Sequence, residues 1–297
     1  MPSLCALDGD AGFVLAWSLD RQDGSDDNLG IDWRRFDGDG AALDAADRHR
    51  HRARRGHWLA DVACRPGGGY AIAGVRSGTG DAGFEVFVAP FGDDGEADGA
   101  PLVPLVREVG GQAFPAVAAG AARSLWVAWE DTPALDQKTV IALRRLTPSA
   151  ADVRQAIVST ASDASAALVA VDPLSDHALV GGVVGTKLRL ALDIGAADLV
   201  AVPLPEAASA TTTSAAAAAL GDDGFAVVWL RGTGASVDVR YAEVRAGAFG
   251  PVTTLGSGSI PLAYRPALDV RDGRVAVAWT ESQGGGHYLV RTALFAR

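Results

Sequence analysis

The sequence lacks the features that would direct it into a membrane or onto nucleic acid. It contains no stretch of about 18 uninterrupted apolar residues, so we expect no membrane span. Lysine is nearly missing, since Lys138 and Lys187 are the only two, and the formal net charge is −10. A field of that sign repels phosphate groups and anionic lipid. We therefore expect no nucleic-acid partner.

Cysteine is equally scarce. Cys5 and Cys64 are the only two, too few and too far apart for a zinc or thiol-redox motif. Two buried free thiols are the interpretation that we favour. The alternative is a disulfide, provided that the fold brings the two residues together.

An apolar hexamer recurs along the chain at intervals of 47 to 57 residues. Self-similarity with a period of about 50 residues indicates a repeat architecture. The six copies are GFVLAW (12–17), GYAIAG (69–74), SLWVAW (124–129), HALVGG (177–182), GFAVVW (224–229) and RVAVAW (274–279).

Each repeat has the same order of short segments around its hexamer. A run of small residues such as SLCAL (3–7) precedes it, and a second alternating apolar run such as IDWRRF (31–36) follows after a polar loop. Turn residues such as DGDG (37–40) come next, and most repeats end in a fourth apolar run such as PLVPLV (101–106) or PVTTL (251–255). Four short strands with hairpin turns are typical of one propeller blade.

We therefore predict an all-β fold, a single six-bladed β-propeller domain over residues 1–297. Its blades have four strands, except for an incomplete last blade that ends after its third. The alanine run in 214–221 has helical propensity, but its place in the repeat predicts an innermost strand. The predicted blades cover about 1–56, 57–113, 114–163, 164–212, 213–264 and 265–297.

Two hexamers end in glycine, Gly74 and Gly182, where the other four end in tryptophan. The fourth repeat has no aromatic residue from 163 to 210, which predicts a weaker blade. Beside Gly74 we expect nearby phenylalanines to fill the space of the missing indole: Phe84, Phe87 and Phe91.

Residues 12–37, GFVLAWSLDRQDGSDDNLGIDWRRFD, combine an apolar strand ending in an aromatic residue, a QDGS loop and a strand ending in RFD before a glycine turn. This segment resembles a repeat of large secreted bacterial surface and haemolysin-like proteins. The resemblance implies an exported bacterial β-propeller that is secreted, periplasmic or held at the cell surface. It brings no catalytic residues with it.

Propellers usually bind ligands at one mouth of the central channel, where loops leave the second strands and enter the first. Alternating arginines and carboxylates there suit a zwitterionic or hydroxyl-rich ligand. The simpler alternative is a set of solvated loops whose charges pair with each other. The positions two beyond each hexamer form this ring: Leu19, Arg76, Asp131, Val184, Arg231 and Glu281.

Tyr264, Arg265 and His57 are predicted to join the same mouth as further ligand contacts. His57 enters the innermost strand of the second blade, where a histidine beside carboxylates suits a general base. No spacing supports a catalytic triad, and a hydrogen-bonded structural histidine is the simpler interpretation.

Two other polar stretches have competing interpretations. Alternating arginines in 47–58, DRHRHRARRGHW, form either an anion-binding face or, as we favour, a charged edge strand that resists aggregation. The loop 20–28, DRQDGSDDN, is rich in the oxygen ligands of calcium. Its spacing is not that of an EF-hand, and these residues are common in turns, so we expect no metal and no cofactor.

For function we favour a monomeric binding module that recognises a carbohydrate, another small exported ligand or another protein at the channel mouth. The competing class is a lyase or hydrolase that uses mouth carboxylates and His57. A third alternative is a structural spacer in a larger surface protein. The predicted ligand contacts are Arg76, Asp131, Arg231, Glu281, Tyr264, Arg265 and His57.

Overall fold

A computed structural model shows the chain as antiparallel β-structure. Strands take up 71% of the described residues and helices are almost absent, so the predicted all-β class is confirmed. Within the described ranges, no helix has both the length and the apolar character that a bilayer crossing needs. The structure describes residues 2–8, 12–20, 29–44, 57–77, 83–99, 110–133, 138–147, 154–157, 163–195, 199–205, 211–233, 236–260 and 265–296.

The chain forms two compact units, Met1–Gln155 and Ala156–Arg297. Unit one carries three antiparallel sheets. Sheet one consists of β1 (Ser3–Ala6), β2 (Phe13–Asp20) and β3 (Leu29–Phe36); sheet two of β4 (His57–Cys64), β5 (Tyr70–Ser77) and β6 (Phe84–Phe91); sheet three of β7 (Gly111–Ala119), β8 (Leu125–Thr132), β9 (Val140–Leu146) and β10 (Arg154–Ile157), which runs across the unit boundary.

Unit two also carries three antiparallel sheets. Sheet four consists of β11 (Ala164–Val171), β12 (Ala178–Val184), β13 (Lys187–Asp193) and β14 (Val200–Val202); sheet five of β15 (Thr212–Gly221), β16 (Gly224–Thr233), β17 (Ser236–Arg245), β18 (Ala248–Phe249) and β19 (Thr253–Gly258); sheet six of β20 (Ala267–Arg271), β21 (Arg274–Gly284) and β22 (His287–Ala296).

The repeated segments become equivalent strands of the six sheets. The last five residues of every hexamer lie in the second strand of its sheet, between a strand of small residues and the third strand. The alanine run lies in β15, so the strand prediction is confirmed there. The predicted fourth run PVTTL overlaps β19, which pairs with β17, whereas PLVPLV (101–106) lies outside the described residues.

The second strand of sheet five is covered on both faces, as its apolar pattern predicts. In β16 the side chains of Phe225 and Trp229 pack in a cluster with sheet four, and those of Val228 and Leu230 pack in another with sheet six. Trp229 and Leu230 have no exposed surface. Sheets four and six, its neighbours within the unit, therefore bury this hexamer from two sides.

The space beside Gly74 is filled by only one of the three predicted phenylalanines. A Cβ atom at Gly74 would lie 2.3 Å from Ile31 Cδ1 and 2.9 Å from Phe87 Cε1. Phe84 is 45% exposed, and Phe91 stacks on another aromatic ring with 5.2 Å between centroids. The prediction is right for Phe87 and wrong for the other two, because they lie at the two ends of β6.

The first strands of sheets two, three and four each contain a β-bulge that the sequence did not indicate. In each case two residues lie opposite the last residue of the hexamer. One of them has the left-handed backbone that non-glycine residues seldom adopt. These residues are Leu59 (φ 60°), Phe114 (φ 48°) and Ala166 (φ 55°). Such bulges bend a strand and redirect its side chains.

Cys5 and Cys64 form a disulfide between β1 and β4. The favoured prediction of two free thiols is therefore wrong, and the alternative is correct. First strands of neighbouring sheets lie side by side, which brings two residues 59 positions apart to a Cα–Cα distance of 5.5 Å.

Asp61 ties three first strands of unit one together. Its Oδ1 accepts a hydrogen bond from Ser3 Oγ of β1 at 2.5 Å, and its Oδ2 accepts one from the Val117 N–H of β7 at 2.8 Å. Asp61 itself lies in β4, directly after the bulge. One carboxylate thus fixes the relative positions of β1, β4 and β7.

We expect the double variant Cys5→Ser with Cys64→Ser to lose about 2–4 kcal/mol of unfolding free energy, because the cross-link restricts the unfolded chain. Urea titrations followed by tryptophan fluorescence, with and without reducing agent, measure this loss. The double variant should not respond to the reductant. A wild-type midpoint that is equally indifferent to reduction would contradict the expected contribution.

Candidate functional site

The six predicted ring positions are equivalent in the structure, but they lie in strands and not in loops. All fall within the last four residues of the second strands, β2, β5, β8, β12, β16 and β21. The loop prediction is wrong because these strands continue beyond the apolar hexamer. Unit one contains Leu19, Arg76 and Asp131, and unit two contains Val184, Arg231 and Glu281.

In unit one, Arg76 is held by a carboxylate on the neighbouring strand. Its Nε and Nη2 atoms donate to Glu85 Oε2 at 3.2 and 3.1 Å, from β5 to β6. Glu85 is only 4% exposed, whereas the Arg76 side chain is 39% exposed. The buried partner therefore orients a guanidinium that still reaches solvent.

Asp131 lies at the equivalent end of the second strand in the neighbouring sheet three. It lies opposite Gln112 in the β7–β8 pair, and both residues are 1% exposed. Gln112 Oε1 accepts a hydrogen bond from the Val86 N–H at 2.9 Å, and Val86 follows Glu85 in β6. The end of sheet three is thereby joined to the end of sheet two. We call Arg76, Glu85, Gln112 and Asp131 the first rim.

A glycine is required at the point where sheet three is hydrogen-bonded to the segment that precedes β6 of sheet two. Gly110 has a φ of +99°, and a Cβ atom there would lie 2.2 Å from the carbonyl oxygen of Thr132. Its own carbonyl accepts a hydrogen bond from the Gly83 N–H at 2.9 Å. Only glycine adopts this φ readily and avoids a clash between a Cβ atom and the Thr132 carbonyl oxygen.

Two exposed aromatic side chains border the first rim. Phe84 directly precedes Glu85 and is 45% exposed, and Phe114 is the bulge residue of β7 and is 39% exposed. Sequence reasoning missed Glu85, Gln112 and Phe114 as site residues, and it assigned Phe84 to the core. Glu85 is Arg76's direct partner across the β5–β6 hairpin, so correct strand pairing would have found it.

In unit two, Arg231 shares a carboxylate with a second arginine. Asp238 Oδ2 accepts a hydrogen bond from Arg240 Nη2 at 2.9 Å and lies 3.9 Å from Arg231 Nη1. Asp238 is the direct partner of Arg231 in the β16–β17 pair. As with Arg76, the partner comes from the third strand of the same sheet.

Glu281 is paired in the same way with the third strand of sheet six. Its Oε2 accepts a hydrogen bond from Arg291 Nε at 2.7 Å, and its Oε1 accepts one from Gln283 Nε2 at 3.2 Å. The hydrogen bond from Arg291 is the largest of the effects that lower the pKa of Glu281, and desolvation partly opposes it. We call Arg231, Asp238, Arg240 and Glu281 the second rim.

Arg265 lies where the prediction placed it, at the entry to a first strand. Its Nη1 donates to the carbonyl oxygen of Ala167 at 3.0 Å, next to the bulge of β11. His57 begins β4 and pairs through its backbone with Arg76, but its side chain is outside the described part. Tyr264, most of the arginine-rich stretch 47–58 and most of the loop 20–28 are outside it as well.

No cluster of three or more metal-ligating side chains occurs in the described ranges. A shallow cleft lies at the opposite end of sheet six from Glu281, near the turn between β20 and β21. It does not coincide with either rim. Its lining residues are Asp269, Arg271, Asp272, Arg274, Ala276 and Leu294.

Neither a family model nor a curated protein sequence matches this chain. Solved structures do resemble it. A protein of unknown function from Dyadobacter fermentans has 14% identity and a TM-score of 0.68, over 100% of this chain and 94% of its own. The α-L-arabinofuranosidase of Fusarium graminearum, in complex with arabinobiose, has 10% identity and a TM-score of 0.63, over 99% and 92%. Aleuria aurantia lectin, in complex with α-methyl-L-fucoside, has 10% identity and a TM-score of 0.54, over 99% and 95%.

At these identities the likeness shows the fold alone. The chain shares the β-propeller fold of these neighbours, which confirms the predicted architecture at that level. The relation to exported haemolysin-like repeat proteins has no matching family behind it and stays a prediction.

We expect the variant Arg291→Gln to raise the pKa of Glu281 toward its ordinary value, because it removes the hydrogen bond that lowers this pKa. A lowered carboxyl pKa stabilises the fold above the unfolded-state value, and this contribution is lost as pH falls through the folded-state pKa. A ¹³C NMR titration of the glutamate carboxyl groups measures the shift. Arg271→Gln, on the first strand of the same sheet, is the control, and equal shifts in both variants would contradict the assignment.

Proposed function

We propose that this chain is a carbohydrate-binding β-propeller whose ligand lies on the rim at the ends of the second strands. We further propose that its six sheets are the six blades of one propeller. The observation that carries the proposal is the first rim, whose residues are joined by hydrogen bonds and lie beside two exposed phenylalanines, Phe84 and Phe114. The arabinobiose and α-methyl-L-fucoside bound to two structural neighbours support the same ligand class.

The chemistry of the first rim suits a sugar. Hydroxyl groups of a sugar donate to carboxylates and accept from guanidinium groups, and such charge-assisted hydrogen bonds are strong. Arg76 is already oriented by Glu85, so less side-chain entropy is lost when a ligand binds. The apolar face of a sugar ring can stack on an exposed aromatic ring such as that of Phe114.

An exported location also belongs to the proposal. The Cys5–Cys64 disulfide is of the kind that persists in oxidising compartments. This supports a protein that is secreted, periplasmic or attached to the cell surface. We propose that it acts there as a monomer.

Hydrolysis of a carbohydrate is the second candidate. Glycosidases commonly use two carboxylates that flank the scissile bond, and the first rim contains two buried ones, Glu85 and Asp131. Binding is favoured because Glu85 already accepts two hydrogen bonds from Arg76.

We expect Arg76→Ala to weaken carbohydrate binding at least tenfold, since hydrogen bonds to charged groups contribute about 1.5–3 kcal/mol each. Isothermal titration calorimetry with arabinobiose, α-methyl-L-fucoside and glucose measures the change. Arg123→Ala is the matched control, because Arg123 lies at the opposite end of sheet three and its side chain is 52% exposed. Failure of the wild type to bind any saccharide would favour the structural spacer.

We expect the wild type to release no products from arabinobiose or longer arabino-oligosaccharides, because a binding module leaves the glycosidic bond intact. Anion-exchange chromatography after prolonged incubation detects such products. The variant Asp131→Asn is measured in parallel. Products that form with the wild type and disappear with Asp131→Asn would replace the binding proposal with hydrolysis.

A further inference from the structure

The outer edge of sheet six is free. Its three strands lie in the order β20, β21 and β22, so that β22 pairs with β21 on one side only. No strand of the described ranges pairs with the other side of β22. The N–H and C=O groups that point outward from Leu289 to Ala296 are therefore available to a further strand.

The third strands of the other five sheets have a partner on this side. In sheets three, four and five, β9, β13 and β17 pair with β10, β14 and β19. In sheets one and two, isolated bridges join Phe36 to Ala42 and Phe91 to Ala97. The repeat therefore has a position for a fourth segment outside each third strand, and among the described residues that position is unfilled only in sheet six.

The strand β22 lacks the devices that protect a free edge from pairing. Natural edge strands usually carry several charged residues, a proline or a bulge. The segment Leu289–Ala296 contains no proline, and its pairing with β21 is regular. Its single charged residue, Arg291, is already paired with Glu281 at 2.7 Å. The edge therefore does not oppose the addition of a strand.

Two apolar residues of β22 replace carboxylates of the equivalent strand in sheet five. When the two sheets are aligned through their hexamers, Leu289 stands at the position of Asp238 in β17, and Leu294 stands at that of Glu243. Leu289 is 43% exposed and Leu294 is 68% exposed, and the alternation of side chains places them on opposite faces of the sheet. Exposed apolar side chains that lie together often mark a site of protein–protein interaction.

A covering strand lowers the exposure of the equivalent position in sheet five. The side chain of Arg240, in β17, is 20% exposed, whereas that of Arg291, at the equivalent position of β22, is 50% exposed. The strand β19 covers β17 and places Thr254 opposite Arg240. A strand outside β22 would shield Arg291 and its neighbours in the same way.

Two covering strands of unit two show which chemistry this position accepts. The sequence of β14 is VAV, and that of β19 is TTLGSG. Both are uncharged, and both pair antiparallel with their third strands. Because the one charge of Leu289–Ala296 is already paired within sheet six, an uncharged segment also complements β22.

We propose that the free edge of β22, from Leu289 to Ala296, binds an extended and uncharged segment of another polypeptide as an antiparallel fourth strand of sheet six. In such strand addition, main-chain hydrogen bonds supply the affinity, and side chains at alternate positions supply the selectivity. This interaction does not require carbohydrate binding at either rim, so each proposal can fail without the other.

The test is fluorescence anisotropy of the labelled peptide PVTTLGSG, residues 251–258, titrated with the full chain. We expect saturable binding, because this peptide contains the sequence of a strand that covers β17. The double variant Val290→Lys with Leu294→Lys should weaken this binding at least fivefold, since charges on an edge strand deter pairing. Both side chains are largely exposed, at 73% and 68%, so we expect the thermal unfolding midpoint to stay unchanged.

Two controls separate strand addition from adsorption to any apolar surface. Leu174→Lys changes a leucine that is 82% exposed in sheet four and should leave the affinity unchanged. Two further peptides carry N-methyl groups on alternate residues, one on Thr254 and Gly256, the other on Thr253, Leu255 and Ser257. Successive N–H groups of a strand point to opposite edges, so one of these peptides should bind at least tenfold more weakly than the other.

Other outcomes overturn the inference. No binding of the parent peptide to the wild type, or no difference between the two methylated peptides, would refute strand addition. Binding that the two lysines leave unchanged would place the peptide elsewhere, for example in exchange for β19. Sedimentation velocity at the concentrations of the assay covers the remaining case: a wild-type dimer that the lysine variant abolishes would assign the edge to a second copy of this chain.

Discussion

The structure depends on the need to cover an apolar strand on both faces. Each fully buried large side chain, such as Trp229 or Leu230, contributes about 1.5–3 kcal/mol when it leaves water, and an exposed face would lose that gain for every side chain on it. Neighbouring sheets within each unit therefore stack against the second strands. The same packing excludes charge from the middle of these strands, because an unpaired buried charge is very costly. Polar chemistry is confined to the strand ends, where Arg76, Arg231 and Glu281 lie.

The first strands meet a different constraint, since those of neighbouring sheets lie side by side and contain many small side chains. Their close approach allows covalent and polar ties between sheets, the Cys5–Cys64 disulfide and the Asp61 carboxylate that binds β1 and β7. It also accompanies the bulges at Leu59, Phe114 and Ala166, whose backbone costs of order 1–3 kcal/mol each. The surrounding strands hold these residues in place, and the bulge in β7 leaves Phe114 exposed next to the first rim.

Local sequence patterns were sufficient to predict the repeated strands and the positions at their ends. Alternating apolar residues located the second and third strands, and the period of the hexamer predicted that the alanine run of β15 is a strand in spite of its helical propensity. Counting from the hexamer also located Arg76 and Asp131. Their partners were not found, because Glu85 depends on the exact pairing of β5 with β6, and Gln112 depends on a bulge that shifts the register of β7. The disulfide was not chosen because it depends on how two sheets pack, which no spacing encodes.

The two rims differ in chemistry although their positions in the repeat are equivalent. The first combines buried carboxylates with exposed aromatic rings at its border, and the second combines two arginines with the carboxylates of Asp238 and Glu281. A net charge of −10 repels an anionic ligand at long range, but this repulsion is screened beyond about 8 Å at physiological ionic strength. Recognition of an acidic group in such a protein must therefore depend on short-range contacts that are fixed in advance. Arg76 meets that condition, because its hydrogen bonds to the buried Glu85 orient the guanidinium before any ligand arrives.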